Sequence, residues 1–113
     1  MAFSYIASPY TDPDPEVMHE RYKKISVYTA NCLKNGDFVY SPIVHCHDMA
    51  VRHSLPRTID FWQAYDKAML SCSKELRIVM LEGWVDSVGI KFETAFAEEV
   101  GIPVIYVSPV TYI

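Results

Sequence analysis

From Gly83 to Glu93 the chain reads Gly-Trp-Val-Asp-Ser-Val-Gly-Ile-Lys-Phe-Glu, which sets a serine, a glycine and a carboxylate at helical intervals. Ser87 stands where a helix N-cap is expected. The first N–H groups of a helix lack carbonyl partners and carry partial positive charge, so this turn suits a phosphate or carboxylate. Gly89 has no side chain and lets a ligand come close to the helix. Gly89, Glu93 and Ala97 share one helix face, so Glu93 lies between two small residues. A carboxylate with such clearance reads as one that faces a substrate. The N-terminal half of the helix favours its ionised form, which a nucleophile or base requires. The alternative is an ordinary surface glutamate with small neighbours.

Other residues are weaker candidates. Ser8 supplies a second hydroxyl for an anion, or is simply a small residue in a tight turn. Tyr10, in the same loop, lines a ligand pocket or packs the loop. Trp84 follows a strand at its ligand-binding edge and either stacks on a ligand or serves as a lid or contact surface. Trp62 and Tyr65 have helical spacing, which favours core packing over stacking on a ligand. His45-Cys46-His47-Asp48, with His53 nearby, supplies only two ligands through its His-x-His pair. Zinc needs three or four that converge, so no metal site is expected, although one of these histidines could reach a site. Asp12, Asp14 and Glu16 are explained by a helix cap and a solvated loop.

The elements that must position these residues alternate. Phe3–Ala7 is short, apolar and rich in β-formers, a buried strand. Pro9–Pro15 is a loop, with Asp14 as cap and Pro15 opening the first helix. Val17, Arg21, Ile25, Tyr28 and Cys32 form the buried face of that helix, and Asn35-Gly36 ends it. Phe38–Ile43 is a second strand, stopped near Pro42, and His45–Arg57 reads as a polar loop. Thr58 caps a second helix with a core stripe of Phe61, Tyr65, Ala68, Met69 and Cys72. Leu76–Leu81 is the third strand. Gly83 breaks it, Ser87 caps a third helix with Phe92, Ala95 and Phe96 on its apolar face, and Gly101 closes that helix. Pro103–Val107 is the fourth strand. Apolar strands that alternate with helices predict an α/β fold, a parallel sheet of four or five strands covered on both faces. In such sheets ligands bind beyond the carboxyl ends of the strands. That rule selects Ala7–Asp14, Ser41–His47 and Glu82–Glu93.

At 113 residues, half of them hydrophobic and 21% charged, the chain makes one domain, residues 1–113, with a real core. A net charge of −4 disfavours a nucleic-acid polymer as partner. No apolar run approaches the ~20 residues of a membrane span. The first residues lack a basic segment, so no signal peptide is expected. Three widely spaced cysteines without a Cys-x-x-Cys read as reduced thiols in a cytoplasmic protein.

Ser87-x-Gly89-x-x-x-Glu93, with Ala97 and Gly101-Ile-Pro103-Val, resembles the signature of the nucleoside 2-deoxyribosyltransferase-like superfamily. That superfamily includes deoxyribosyltransferases and nucleotide N-glycosidases such as the 5-hydroxymethyl-dUMP N-hydrolase. Tyr5-Ile-Ala-Ser-Pro-Tyr10 is similar to its first strand and loop, and Asp66 to its acidic residue on the helix before the third strand. Gly83-Trp84-x-Asp86-Ser87 is closer to a compact branch of the superfamily. The resemblance spans nearly the whole chain and implies a small Rossmann/flavodoxin-like three-layer fold. It also implies cleavage of the bond between sugar C1′ and a nucleobase through an oxocarbenium-like transition state. Glu93 is then the carboxylate beneath C1′. Asp66 orients the sugar or nucleophile, or assists proton transfer to the leaving base. Water gives hydrolysis, which is preferred, and a second base gives transfer. The transferases tend to carry Asp where this chain has Ser87. The nucleotide hydrolases carry Ser there to hold a 5′-phosphate, so the substrate implied is a nucleoside or its 5′-monophosphate. Asp86 would repel phosphate unless it points away. No cofactor is implied. A homo-oligomer is, and Tyr112 could then reach a neighbour's pocket. Two alternatives are a nucleotide-sensing module without turnover and an NAD-cleaving glycohydrolase. Against a dinucleotide fingerprint, no Gly-x-Gly-x-x-Gly follows the first strand.

Overall fold

The computed structural model describes residues 2–56 and 58–112, with Thr111 and Tyr112 described in backbone only. Four strands, β1 (Ser4–Ala7), β2 (Val39–Tyr40), β3 (Glu75–Val79) and β4 (Val104–Val107), form one parallel sheet in the order β2-β1-β3-β4. The register sets Tyr5 against Leu76 on β3, and Leu76 against Val104 on β4. Four helices cover the sheet: α1 (Pro15–Lys34), α2 (Pro42–Arg52), α3 (Ile59–Ser71) and α4 (Val88–Val100). Short 3-10 turns occupy Trp84–Asp86 and Pro109–Tyr112. This is a three-layer α/β fold of the Rossmann/flavodoxin kind.

Side chains alternate along the strands and divide the core in two. Tyr5, Ala7, Leu76 and Ile78 pack with Leu70 of α3 and with Ile90 and Ala97 of α4. Ile6 and Val79 pack on the other face with Ile25, Tyr28 and Cys32 of α1. The chain leaves β1 to one side for β2, then crosses back to β3 on the other. The strand order therefore reverses at β1 and β3, where this architecture opens a crevice at the carboxyl ends.

The caps at Asp14 and Ser87 form as expected: Asp14 accepts from the Glu16 N–H, and Ser87 from the Ile90 N–H. Three expectations are corrected. The His45–Arg57 stretch is not a loop as far as Arg52, because α2 runs through it. Ser41 caps that helix by accepting from the Val44 N–H, with Pro42 in the first turn. Arg57 lies outside the described residues. On α3 the expected core stripe faces largely outward: Phe61 is 49% and Tyr65 37% exposed, and Cys72 is exposed. Among its described residues only Leu70 is fully buried, and Met69 packs partly against the core. On α4 the buried residues are Ile90, Glu93 and Ala97. Phe92 and Phe96 are half-buried, with the Lys67 ammonium lying over both rings, and Ala95 is exposed. On both helices the inward face carries an acid, Asp66 or Glu93, which apolar periodicity overlooks.

Candidate active site

A cavity of about 570 Å³ opens beyond the carboxyl ends of β1 and β3. The β1 loop gives it Ser8 and Tyr10. α2 and α3 supply a wall that includes His47, Trp62 and Asp66. The start of α4 supplies Asp86, Ser87, Gly89 and Glu93. Seven of the eight residues selected from sequence line this space. The eighth, Trp84, does not: its ring packs on Tyr106 and against the core beneath α4, with centroids 5.6 Å apart. Trp62 lines the wall instead, its ring held by the bond that its Nε1–H donates to the Pro56 carbonyl.

Glu93 reaches the cavity from the buried face of α4 and is 6% exposed. Tyr5, wholly buried on β1, donates a hydrogen bond of 2.5 Å to its Oε2. Burial pushes the Glu93 carboxyl up to about 8. The Tyr5 bond opposes that rise and the charge of Asp66 adds to it. Burial therefore works against the ionised state that the helix end favours. Burial also lifts Asp66, to about 6. Tyr5 rises well above its ordinary value, through burial first and then the negative charge of Glu93 and Asp66. Two carboxyls of one cavity are thus set apart, with Glu93 raised further than Asp66.

The other end suits an anion. Arg21 lines the cavity, and its Nη1 donates to the carbonyls of Tyr10 and Thr11. No carboxylate ion-pairs with it among the described contacts. Its Nη2 lies 2.6 Å from where a Cβ on Gly83 would stand, and the φ of +94 at Gly83 favours glycine there. The Ser8 hydroxyl is buried, lines the cavity and has no hydrogen-bond partner among the described residues. Ser87 caps α4 and keeps its own proton to donate. A Cβ on Gly89 would meet only the Ser87 Oγ at 3.8 Å, so protein packing does not demand this glycine. A side chain there would instead take up ligand space. Asp86 is exposed and also lines the cavity.

Sequence reasoning missed Tyr5 and Arg21 as members of the site and left open which histidine reaches it. Tyr5 and Arg21 read as ordinary core positions of a strand and a helix. His47 is brought in by α2, where its Nδ1 lies 2.6 Å from the Tyr10 hydroxyl. His45 turns elsewhere, parallel to the Tyr65 ring. Among the described residues no three His, Cys, Asp or Glu side chains are grouped to hold a metal ion. Asp12 accepts from the Asp14 N–H, as a loop-turn residue does. The Tyr112 side chain lies outside the described residues.

Compared with curated proteins, the sequence has no match. A family model, by contrast, matches residues 2–109, nearly the full chain and every residue of the cavity described above, and by that match the chain belongs to the family described as a domain of unknown function, DUF1937.

Proposed function

We propose that this protein cleaves the N-glycosidic bond of a (deoxy)nucleoside 5′-monophosphate, by hydrolysis in preference to base transfer, as a nucleoside 2-deoxyribosyltransferase-like enzyme. The observation that carries the reading is Glu93. It is a buried carboxyl on a cavity wall, held by a tyrosine, beside a second carboxyl and, among the described residues, with no cation paired to it. A cationic sugar at C1′ would supply the missing charge. Positive charge that develops there favours the ionised carboxyl, so Glu93 yields its proton to solvent and attacks C1′ as the carboxylate. Asp66 then orients the sugar.

Arg21, the unpartnered Ser8 hydroxyl and the first turn of α4 support the 5′-monophosphate over the free nucleoside. Hydrophobic lining from Ile43, Ala50 and Trp62 suits a base. The reading needs no organic cofactor or metal. A cytoplasmic location is supported by the three free cysteines, of which Cys72 is exposed. Among the described residues no helix is long and apolar enough to cross a membrane. A homo-oligomer is supported by the exposed Phe61 and Tyr65 on α3, and light scattering in solution tests it.

The deciding experiment is release of free base from a panel of nucleosides and 5′-monophosphates, with wild type beside Glu93→Gln. Release by wild type that collapses in the variant supports the reading. A second reading, ligand binding without turnover, is favoured by the burial that raises the Glu93 carboxyl and disfavours its nucleophilic form. It predicts no base release, and a 5′-monophosphate that raises the melting temperature of both proteins equally.

A further inference from the structure

Tyr10, His47 and His19 form a line from the cavity to the surface. The Tyr10 hydroxyl lies 2.6 Å from Nδ1 of His47, and Nε2 of His47 lies 3.5 Å from Nδ1 of His19. His47 is 6% exposed and lines the cavity, while His19 is exposed to solvent. The Tyr22 ring stacks on His47 at 4.3 Å and 23°, which holds the imidazole plane. Tyr10 is anchored twice, because Arg21 binds its carbonyl while its hydroxyl reaches α2. On α2, His47 shares its face with Ile43 and Ala50, the apolar lining that suits a base. His47 has a partner on each ring nitrogen, one in the cavity and one toward water.

We propose that the Tyr10 hydroxyl protonates the departing base and that His47, fed by His19, replaces that proton. The proposal rests on the glycosidic reading above and deepens it. As the C1′–N bond breaks, its electron pair leaves with the base. The base takes the Tyr10 proton, and the phenolate takes the Nδ1 proton of His47. Nε2 of His47 accepts a proton from His19, which is reprotonated by water. One proton moves from solvent to base, and nothing is oxidised or reduced. Tyr10 touches the base; His47 acts through Tyr10 and is a positioning residue.

The test compares two substrates. One is the nucleoside 5′-monophosphate that wild type cleaves fastest. The other is a 4-nitrophenyl pentosyl 5-phosphate, whose nitrophenolate leaves without a proton. Tyr10→Phe is expected to lower kcat on the nucleotide by ~10²-fold or more, the usual worth of general acid catalysis, and to leave the nitrophenyl substrate nearly untouched. His47→Gln is expected to follow the same pattern with a smaller loss, KM holding steady. Equal losses on both substrates, or none, would overturn the proposal. A solvent deuterium isotope effect on wild-type kcat with the nucleotide, abolished by Tyr10→Phe, is the second expected result, and it depends on neither the nitrophenyl substrate nor His47→Gln. Its absence would also overturn the relay. Glu93→Gln separates the two levels of the argument. Release abolished in that variant but indifferent to Tyr10→Phe defeats the relay alone, whereas a wild type that releases base from nothing defeats the glycosidic reading and the relay with it.

Discussion

Glu75 and Glu93 are both drawn toward the interior, one at each end of the sheet, and the fold treats them oppositely. At the amino ends of the strands, Arg77 donates to Asp37 at 2.6 Å and to Glu75 at 3.0 Å, and Ser4 donates to Glu75 at 2.6 Å. Burial works to raise Glu75, but the Ser4 hydroxyl and Arg77 outweigh it, and the carboxyl ends below its usual range. Asp37 is lowered too, first by its bond from Arg77. At the carboxyl ends, Glu93 has a phenol for a partner and another acid for a neighbour, and it is raised. The first cluster is closed: every charge is answered inside the protein. The second is open: among the described residues no cation answers Glu93. That contrast separates structural carboxylates from a candidate catalytic one, because burial of an unpaired acid is costly and persists where binding or chemistry uses it.

The comparison can be broken from either end. The largest effect is expected from Glu93→Gln, which should lower base release by about 10³-fold or more while leaving the fold intact, since the amide can still accept from Tyr5. Next, Arg77→Met should destabilise the protein by about 3 kcal/mol in urea unfolding, the low end for a broken buried pair because Asp37 and Glu75 keep some contact with water. The folded variant should still bind ligand. Arg21→Gln should weaken binding of a 5′-monophosphate by roughly 10- to 100-fold, as loss of a charged hydrogen bond does, with nucleoside affinity unchanged in calorimetry. A nucleoside weakened equally would place Arg21 in structure alone.

Two smaller effects sharpen the contrast. Below pH 4.5 Glu93 is protonated in both folded and unfolded chains. Between 4.5 and about 8 the unfolded chain releases its proton and the folded one retains it, so stability falls as pH rises through that window and levels off above it. Glu93→Gln removes this slope, and its melting temperature should overtake that of wild type as pH climbs toward 8. For the same reason kcat/KM should rise with pH toward about 8 if Glu93 attacks as a carboxylate. Ser87→Ala should cost about 1 kcal/mol through the lost cap, and more in affinity for phosphate than in stability.

Much of the frame was legible in the chain. The four strands, the caps at Asp14 and Ser87, and the helix that carries Gly89 and Glu93 follow from local pattern. Ser41-Pro42 was equally local, a capping residue before a first-turn proline, yet it read as a strand end because three polar histidine and cysteine positions follow it. The α3 stripe failed for another reason. Its apolar residues Phe61 and Tyr65 face outward, while Asp66 lies on the inward side with Leu70, and hydropathy cannot tell a cavity-facing acid from a solvated one.

The sequence by itself determined the four strands and the helices α1, α3 and α4, and therefore that Ser8, Ser87 and Glu93 meet beyond the carboxyl ends of a parallel sheet. Periodicity and capping act over a few residues, and parallel connections bring those ends together. Only the tertiary structure decided that Tyr5 would hold Glu93 across 88 positions of chain, that Arg21 would turn from a helix face into the cavity, and that His47 would reach Tyr10. It also decided the protonation of Glu93. A carboxyl's charge depends on the water it loses and the partners it gains, and both are set by residues far away in sequence.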